Sequence, residues 1–156
     1  GRAYNELYVL NRGGELVHTY RKKHLWNEKG ITPGRTNQVV ATDFGKIGVI
    51  NCWDIAFPND VRRLAKRGAR IIFSPAYWFD KHRADSPDYF GLPNARAHEN
   101  QVYLVLCDAH SKETLGRSKI LSPVKILAEA TGEGIISADV DLKKLDELRK
   151  KYNCWR

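Results

Sequence analysis

The segment 46–58 constrains the fold of this chain more than any other, because an apolar run within it stops at a cysteine. The segment reads Lys-Ile-Gly-Val-Ile-Asn-Cys-Trp-Asp-Ile-Ala-Phe-Pro, with the cysteine at position 52. A short apolar run of this kind predicts a buried strand, and the chain must then turn sharply toward Pro58. We therefore expect the thiol of Cys52 to be presented at a strand end rather than hidden in a core.

Short strands punctuated by a few helices are predicted for the rest of the chain. Alternating strands and helices, together with hairpins, indicate an α/β fold in which sheet layers are covered by helices. The predicted strands are Glu6–Leu10, 15–21, 38–42, 47–51, 70–74, 102–107, Lys119–Leu121, 125–130 and 134–140. Helices are predicted from Asn59 or Asp60 to Gly68, over 93–101, and after a cap at Asp141. Residues 79–92 are predicted to form a long loop, which is either a binding element or a plain surface connection.

Composition indicates one globular domain, since the chain has 156 residues and a hydrophobic content of 42%. No apolar stretch approaches the ~18 residues needed to span a membrane, and no charged and then apolar leader opens the chain. The three cysteines at positions 52, 107 and 154 cannot all pair with one another, and their spacing does not suit a metal. We therefore expect a cytoplasmic protein with no membrane association, and we read Cys107 as a buried strand position.

Neither a metal nor an organic cofactor is expected. The five histidines show no paired ligand spacing, and no glycine-rich phosphate loop occurs.

A net charge of +8 raises the alternative of a basic nucleic-acid-binding module. The strongest support is the predicted helix at 60–67, which is rich in arginine and lysine. Its apolar positions 61, 64 and 65 follow helical spacing, however, so the cations fall on the opposite face, where they are typical of a solvated surface. We therefore expect no nucleic-acid partner.

The segment 20–28, which precedes Cys52, carries the other groups that thiol chemistry needs. It is rich in lysine and aromatic residues and ends at Glu28. A nearby ammonium lowers the pKa of a thiol, and a carboxylate can take its proton. Once a thiolate attacks an unsaturated carbon, negative charge collects on an oxygen or nitrogen that an ammonium or a backbone N–H can stabilise.

Several ordered motifs together resemble the carbon-nitrogen hydrolase (nitrilase) superfamily, from Tyr4 to the end of the chain. They are Tyr20-x-Lys22-x-His24-Leu25, Glu28 before Pro33-Gly34, Gly48-Val49-Ile50-Asn51-Cys52-Trp53-Asp54 with Phe57-Pro58, Arg62-Arg63-Leu64-Ala65 with Gly68-Ala69, Pro75-Ala76-Tyr77-Trp78, Arg96-Ala97-His98-Glu99-Asn100, and Gly116-x-Ser118. The resemblance implies an α-β-β-α sandwich.

The resemblance also implies roles for particular residues. Cys52 is the nucleophile, Lys22 rather than Lys23 holds the developing negative charge together with the backbone N–H of Trp53, and Glu28 orients Lys22 or carries a proton. The side chains of Trp53, Tyr77 and Trp78 are expected to line the substrate pocket, although the two tryptophans also suit a core. His24 is expected to pack or to form hydrogen bonds, and Arg96 with Glu99 to form a structural ion pair.

One departure from the family pattern affects the active site. The family's first catalytic glutamate lies upstream of anything in this sequence, and Glu6 and Glu15 are poor substitutes for it. We therefore expect a single domain at 1–156 that is incomplete at its N-terminus and lacks its general base. The resemblance further implies a homo-oligomer, to which the segment 142–156 contributes.

The sequence thus predicts a thiol-dependent hydrolase of a non-peptide carbon–nitrogen bond that acts on a small amide, carbamoyl or nitrile compound. The Cys52-Trp53-Asp54 sequence looks more like amidases and N-carbamoyl amine hydrolases than like nitrilases proper. Ile55 and Ala56 stand where some carbamoyl amino acid hydrolases place arginines, which makes an amino acid substrate less favoured. The alternatives are a nitrilase proper, a catalytically inactive fragment or scaffold, and the nucleic-acid module.

Overall fold

The computed structural model of the protein describes residues 1–79, 87–114 and 116–152, and for residues 87–90 it describes the backbone only. Eight strands and three helices occur in these ranges, together with a single 3-10 turn at Cys52–Ala56, which we call the cysteine turn. The elements are β1 (Glu6–Leu10), β2 (Leu16–Arg21), β3 (Val39–Thr42), β4 (Gly45–Val49), α1 (Pro58–Lys66), β5 (Ile71–Ala76), α2 (Pro87–Asn100), β6 (Tyr103–Asp108), β7 (Lys119–Leu121), β8 (Ile126–Glu129) and α3 (Leu142–Tyr152).

Two sheets organise the molecule, and the predicted α/β class is confirmed. Strands β1 and β2 form the predicted antiparallel hairpin, and the other strands form one sheet in the order β3-β4-β5-β6-β7-β8. The central pairs β4-β5 and β5-β6 are parallel, whereas the outer pairs are antiparallel. The cysteine turn follows β4, so the nucleophile candidate lies at the carboxyl edge of a central parallel strand, where open α/β sheets place their ligands.

The two faces of the large sheet are covered differently. Helices α1 and α2 close one face, where buried side chains such as Leu64 of α1 and Ala97 of α2 pack on Ile72 and Leu104 of the sheet. Helix α1 lies so close to β4 that a Cβ on Gly48 would meet a Leu64 side-chain carbon at 2.8 Å, which explains the glycine there.

Helix α3 and the β1-β2 hairpin lie on the opposite face. Leu145 of α3 is buried against Ile71 and Tyr103, and Val9 of the hairpin packs against the same cluster. A cleft of about 850 Å³ remains between the hairpin and this face of the sheet, lined by apolar side chains such as Leu7 and Phe73.

The structure corrects two element predictions and confirms a third. Residues 134–140 were predicted to be a strand but pair with no other strand among the described residues, and Ile135 is almost fully exposed. The end of the predicted loop 79–92 is helical, because α2 begins at Pro87 and continues through Gly91 and Pro93. The rest of that loop, at 80–86, lies outside the described residues. The Asp141 cap is confirmed, since its carboxylate accepts the Lys144 N–H at 3.0 Å.

The predicted burial of Cys107 is wrong. Along β6, Leu104 and Leu106 point toward α1 and α2, whereas Tyr103, Val105 and Cys107 point to the other face. The cluster around α3 includes Tyr103 and Val105 but ends before Cys107, whose side chain is exposed. Cys154 lies outside the described residues. Within the described part of the chain, no helix has both the length and the apolar character needed to cross a bilayer.

Candidate active site

Cys52 occupies a strained position at the start of the cysteine turn. Its φ of +50° lies in the left-handed region, which costs a non-glycine residue on the order of 1–2 kcal/mol. The turn is held from two sides. The Asp54 carboxylate accepts the Asn51 N–H at 2.9 Å, and the Arg96 guanidinium donates to the Ile55 carbonyl at 2.9 Å. Strain that the surrounding contacts maintain is typical of functional sites.

Lys22 directly follows β2, as predicted, and its side chain is only 3% exposed. Its ammonium forms a close ion pair with Glu28. Its backbone is fixed as well, because its N–H donates to the Asn5 carbonyl at 2.9 Å and its carbonyl accepts the Gly34 N–H at 2.7 Å. Gly34 has to be a glycine, since a Cβ there would lie 2.1 Å from the Arg21 carbonyl oxygen.

Glu28 uses both carboxylate oxygens. Oε1 contacts Lys22, and Oε2 accepts the Asn5 side-chain N–H at 3.0 Å. Burial raises the pKa of Glu28, but the hydrogen bonds from Lys22 and Asn5 outweigh burial and hold the pKa below its usual value. Glu28 is therefore ionised at neutral pH and favours a charged Lys22.

The pKa of the Cys52 thiol depends on its burial and on the groups around it. Burial raises the pKa of Cys52, while the Lys22 ammonium and the backbone groups of Tyr77 and Trp53 act in the opposite direction. The net direction is upward, so the ammonium does not produce the depressed thiol pKa that thiolate chemistry suggests. A thiol with a raised pKa would act as a nucleophile only if a base took its proton.

Asp54 ties the cysteine turn to the lysine segment. Its side chain is fully buried and accepts hydrogen bonds from the Tyr20 hydroxyl at 2.7 Å and the His24 N–H at 2.8 Å, in addition to Asn51. Burial raises the pKa of Asp54 despite these donors, and it also raises the pKa of Tyr20. The two segments that carry Lys22 and Cys52 are thus joined through one carboxylate.

A second cluster anchors the lysine segment to α1. Asp60 of α1 pairs with Lys23 through one oxygen and with the His24 ring at 2.7 Å through the other. His24 also stacks on Phe57 with 3.5 Å between the ring centroids. The prediction that His24 packs or forms hydrogen bonds is confirmed, and Lys23 contacts a different carboxylate from Lys22.

The predicted pocket residues differ in their placement. The Trp53 ring is half-buried and lies 4.4 Å from the Trp26 ring between centroids. The Tyr77 carbonyl lies 3.9 Å from Cys52 Sγ, and its exposed hydroxyl donates to Glu113 at 3.0 Å. Trp78 is 8% exposed and packs in the core with Ile50 and Ala76. Its ring is part of the core, and its contact with a substrate stays a prediction.

Three arginines in and directly after α1 have partners within the chain. The Arg62 guanidinium donates to Asn100 at 2.7 Å, Arg67 donates to the Asn37 carbonyl at 2.7 Å, and Arg63 lies 3.7 Å from Asp60. These contacts consume donors that a nucleic-acid surface would direct at phosphates. The expected ion pair of Arg96 with Glu99 is present at 2.8 Å.

Within residues 1–79, 87–114 and 116–152, no three histidine, cysteine, aspartate or glutamate side chains converge as a metal site would require.

Sequence reasoning missed the side chains that hold the site together. Asn51 and Asp54 stand three residues apart, which is the spacing of a helix-capping pair, so a local signal for this contact existed. Asn5 had no such signal, because its partners Glu28 and Asn51 are 23 and 46 residues away.

This chain is similar in sequence and in structure to several known proteins. Residues 1–150 match the sequence model of the family described as carbon-nitrogen hydrolase. A probable nitrilase of Schizosaccharomyces pombe is 35% identical over 96% of this chain and 57% of its own length. A 2-oxoglutaramate amidase of Bacillus subtilis is 31% identical over 94% of this chain and 60% of its own length. The crystal structure of Saccharomyces cerevisiae Nit3, a member of the nitrilase superfamily, superposes with a TM-score of 0.90 at 31% identity, over 98% of this chain and 59% of that one. The chain thus spans less than two thirds of the length of these relatives.

Proposed function

Because this chain belongs to the carbon-nitrogen hydrolase family, we propose that it provides the nucleophile and the charge-stabilising lysine of a thiol-dependent amidase. One observation carries the proposal. Cys52 lies in a strained turn at the carboxyl edge of a parallel strand, and the buried Lys22 ammonium, paired with Glu28, favours its thiolate.

The proposed reaction forms a thioester on Cys52. The sulfur attacks the amide carbon while its proton passes to a base, and the electron pair of the C=O bond moves to oxygen. Lys22 and the Trp53 N–H stabilise this oxyanion. When the C=O bond re-forms, the C–N bond breaks and the amine leaves with the proton. Water then cleaves the thioester, which releases the carboxylic acid and regenerates the thiol.

The base of this reaction is proposed to come from polypeptide outside the 156 residues. The raised pKa of Cys52 requires a proton acceptor, yet the hydrogen bond of Sγ in the described residues goes to a carbonyl, which cannot take a proton. Glu28 is held ionised by Lys22 and Asn5, and this suits orientation of the ammonium better than proton transfer. The 156 residues would then form the larger part of one hydrolase domain.

The substrate is proposed to be a small amide. The Bacillus relative is named a 2-oxoglutaramate amidase, and the Cys-Trp-Asp sequence supports amide or carbamoyl chemistry. A nitrile is the second candidate, since the Schizosaccharomyces relative is named a probable nitrilase. An inactive scaffold is disfavoured because the Lys22–Glu28 pair and the strained Cys52 are both intact.

Further features support proposals about the oligomeric state, the cellular location and the partners of the protein. Side chains such as Leu10 and Leu16 of the hairpin are more than half exposed, and apolar surface of this kind favours a homo-oligomer, which light scattering would detect. The last residues of the segment 142–156 lie outside the described ranges. Among the described residues, Cys52 and Cys107 are free thiols, which suits the cytoplasm. The internal contacts of the α1 arginines argue against a nucleic-acid partner.

An ammonia-release assay on the complete protein tests the proposal, with 2-oxoglutaramate and a small nitrile as substrates. We expect Cys52→Ala to release no ammonia, because the attacking atom is gone. Cys107→Ala is the matched control, since Cys107 is exposed on a strand, and it should retain wild-type turnover. The 156-residue chain alone should release none. Turnover by Cys52→Ala would overturn the proposal, and turnover by the short chain would refute an external base.

A further inference from the structure

A continuous relay of side-chain amides links Glu28 to the residue before the nucleophile. Asn5 Nδ2 donates to Glu28 Oε2 at 3.0 Å, and Asn51 Nδ2 donates to Asn5 Oδ1 at 2.9 Å. Asn51 in turn directly precedes Cys52. The relay therefore joins three segments that are distant in sequence and that meet at the site.

Chemistry fixes the direction of every hydrogen bond in this relay. An ionised carboxylate can only accept, so the Asn5 NH₂ group must face Glu28. The Asn5 carbonyl oxygen then faces Asn51, which must present its own NH₂ group. An amide supplies an NH₂ donor group and a carbonyl acceptor on a single rigid plane, and it adds no charge.

The side chain of Asn5 is separable from the backbone role of the same residue. The Asn5 carbonyl accepts the Lys22 N–H at 2.9 Å, and this bond survives a side-chain substitution. The side chain acts on the other end of Lys22, through the carboxylate that holds the ammonium. Substitutions at Asn5 can therefore test ammonium placement without releasing the lysine backbone.

We propose that Asn5 is a positioning residue, whose amide holds Glu28 and thereby keeps the Lys22 ammonium in register with the turn that carries Cys52. This inference rests on the proposed function of the same site. Asn5 acts through Glu28 and Lys22 and does not contact the reacting atoms. Loss of its donor frees one Glu28 oxygen, lets the ion pair rotate, and reduces the stabilisation of the thiolate.

The chain contains a matched control for this proposal. At the other end of β1, the exposed Asn11 donates to Glu15 at 2.7 Å, so the same asparagine–glutamate contact occurs in the hairpin turn. Changing Asn11 to aspartate adds the same charge beside a carboxylate, but away from the cysteine turn.

The test measures alkylation of Cys52 by iodoacetamide as a function of pH, in the complete protein with every other cysteine, Cys107 and Cys154 among them, changed to serine so that one thiol reacts. In Asn5→Asp, the acceptor for Asn51 remains while a second carboxylate replaces the donor to Glu28. We expect the inflection that marks thiolate formation to rise by about one pH unit, because a negative charge is added beside the Lys22–Glu28 pair. Asn11→Asp should leave the inflection unchanged. Equal inflections in the two variants would overturn the proposal.

A second measurement keeps the proposal testable if Asn5→Asp does not fold. At neutral pH, Asn5→Ala should slow alkylation about tenfold, which corresponds to a shift of about one pKa unit. Asn51→Ala should slow it in the same direction, and the double variant should be no slower than Asn5→Ala, because residues in one relay act as a unit. Reductions that multiply would show that the two asparagines act separately and would refute the relay.

Alkylation does not depend on turnover, so the two proposals fail in different ways. If ammonia release fails while the alkylation results hold, the substrate or the base is wrong and the positioning role stands. If ammonia release depends on Cys52 but the asparagine variants leave alkylation unchanged, the hydrolase stands and Asn5 is not a positioning residue.

Discussion

Two adjacent lysines each pair with a carboxylate, and the two pairs differ in what surrounds them. Lys22 pairs with Glu28, and Lys23 pairs with Asp60 on the opposite side of the segment. Both lysines are largely buried, with 3% and 14% of their side chains exposed. In both carboxylates burial raises the pKa, and two hydrogen bonds together outweigh it, from Lys22 and Asn5 to Glu28 and from Lys23 and His24 to Asp60, so that each pKa is lowered.

The two pairs differ in the other groups that they contact. Asp60 binds Lys23, the His24 ring and, more distantly, Arg63, so its oxygens are occupied by groups that anchor β2 to α1. The ammonium of Lys22 contacts Glu28. Lys22 also acts on the Cys52 thiol. The Lys22 pair therefore acts on the thiol, whereas the Lys23 pair joins the segment after β2 to α1.

Replacing each lysine in turn should give the largest difference between the two pairs, in kcat/KM. Lys22→Ala should lower kcat/KM of the complete protein by about 10²–10³, because an oxyanion donor is lost. Lys23→Ala should leave kcat/KM within a few-fold of wild type, since its ammonium is directed at Asp60. Steady-state kinetics on both variants, with melting temperatures as a control for folding, give the answer. The reverse order of sensitivity would exchange the roles of the two lysines.

The Asp60 pair should dominate stability instead. Asp60→Asn removes the charge that faces Lys23 and His24, and we expect a loss of about 3 kcal/mol in the free energy of unfolding. Asp43→Asn is the matched control, because Asp43 pairs with Arg12 on the surface, where both side chains are more than half exposed. That variant should change stability by less than about 1 kcal/mol. Urea unfolding measures both, and equal losses would show that burial does not decide the strength of the Asp60 cluster.

Features with a local signal could be predicted from the sequence. Asp141 caps α3 through the bond expected of an N-cap, and the spacing of Val61, Leu64 and Ala65 identified the buried side of α1. The position of Cys52 also followed from its own segment, because an apolar strand leads directly into the turn.

Features that depend on distant contacts could not be predicted. Cys107 is exposed because the order of strand pairing places it outside the part of the sheet that α3 covers. The alternation of residues along β6 does not reveal that order. Asn5 finds Glu28 only after the hairpin closes and the segment after β2 folds back. Even the choice of Lys22 over Lys23 came from family resemblance, since both lysines have equal local chemistry.

The smallest and most diagnostic effect concerns pH. The lowered pKa of Asp60 means that its contribution to stability is present above the pKa of the unfolded chain, about 4, and is lost as the pH falls through the folded value. The stability difference between wild type and Asp60→Asn should therefore shrink as the pH is lowered from neutral to about 3. Asp54 has a raised pKa, chiefly through burial, so its contribution has the opposite sign and is lost as the pH rises through the folded value. The difference between wild type and Asp54→Asn should therefore shift in favour of wild type on acidification. Urea unfolding at a series of pH values measures both slopes. Two slopes of the same sign would mean that one of these carboxylates is held by forces other than the contacts described for it.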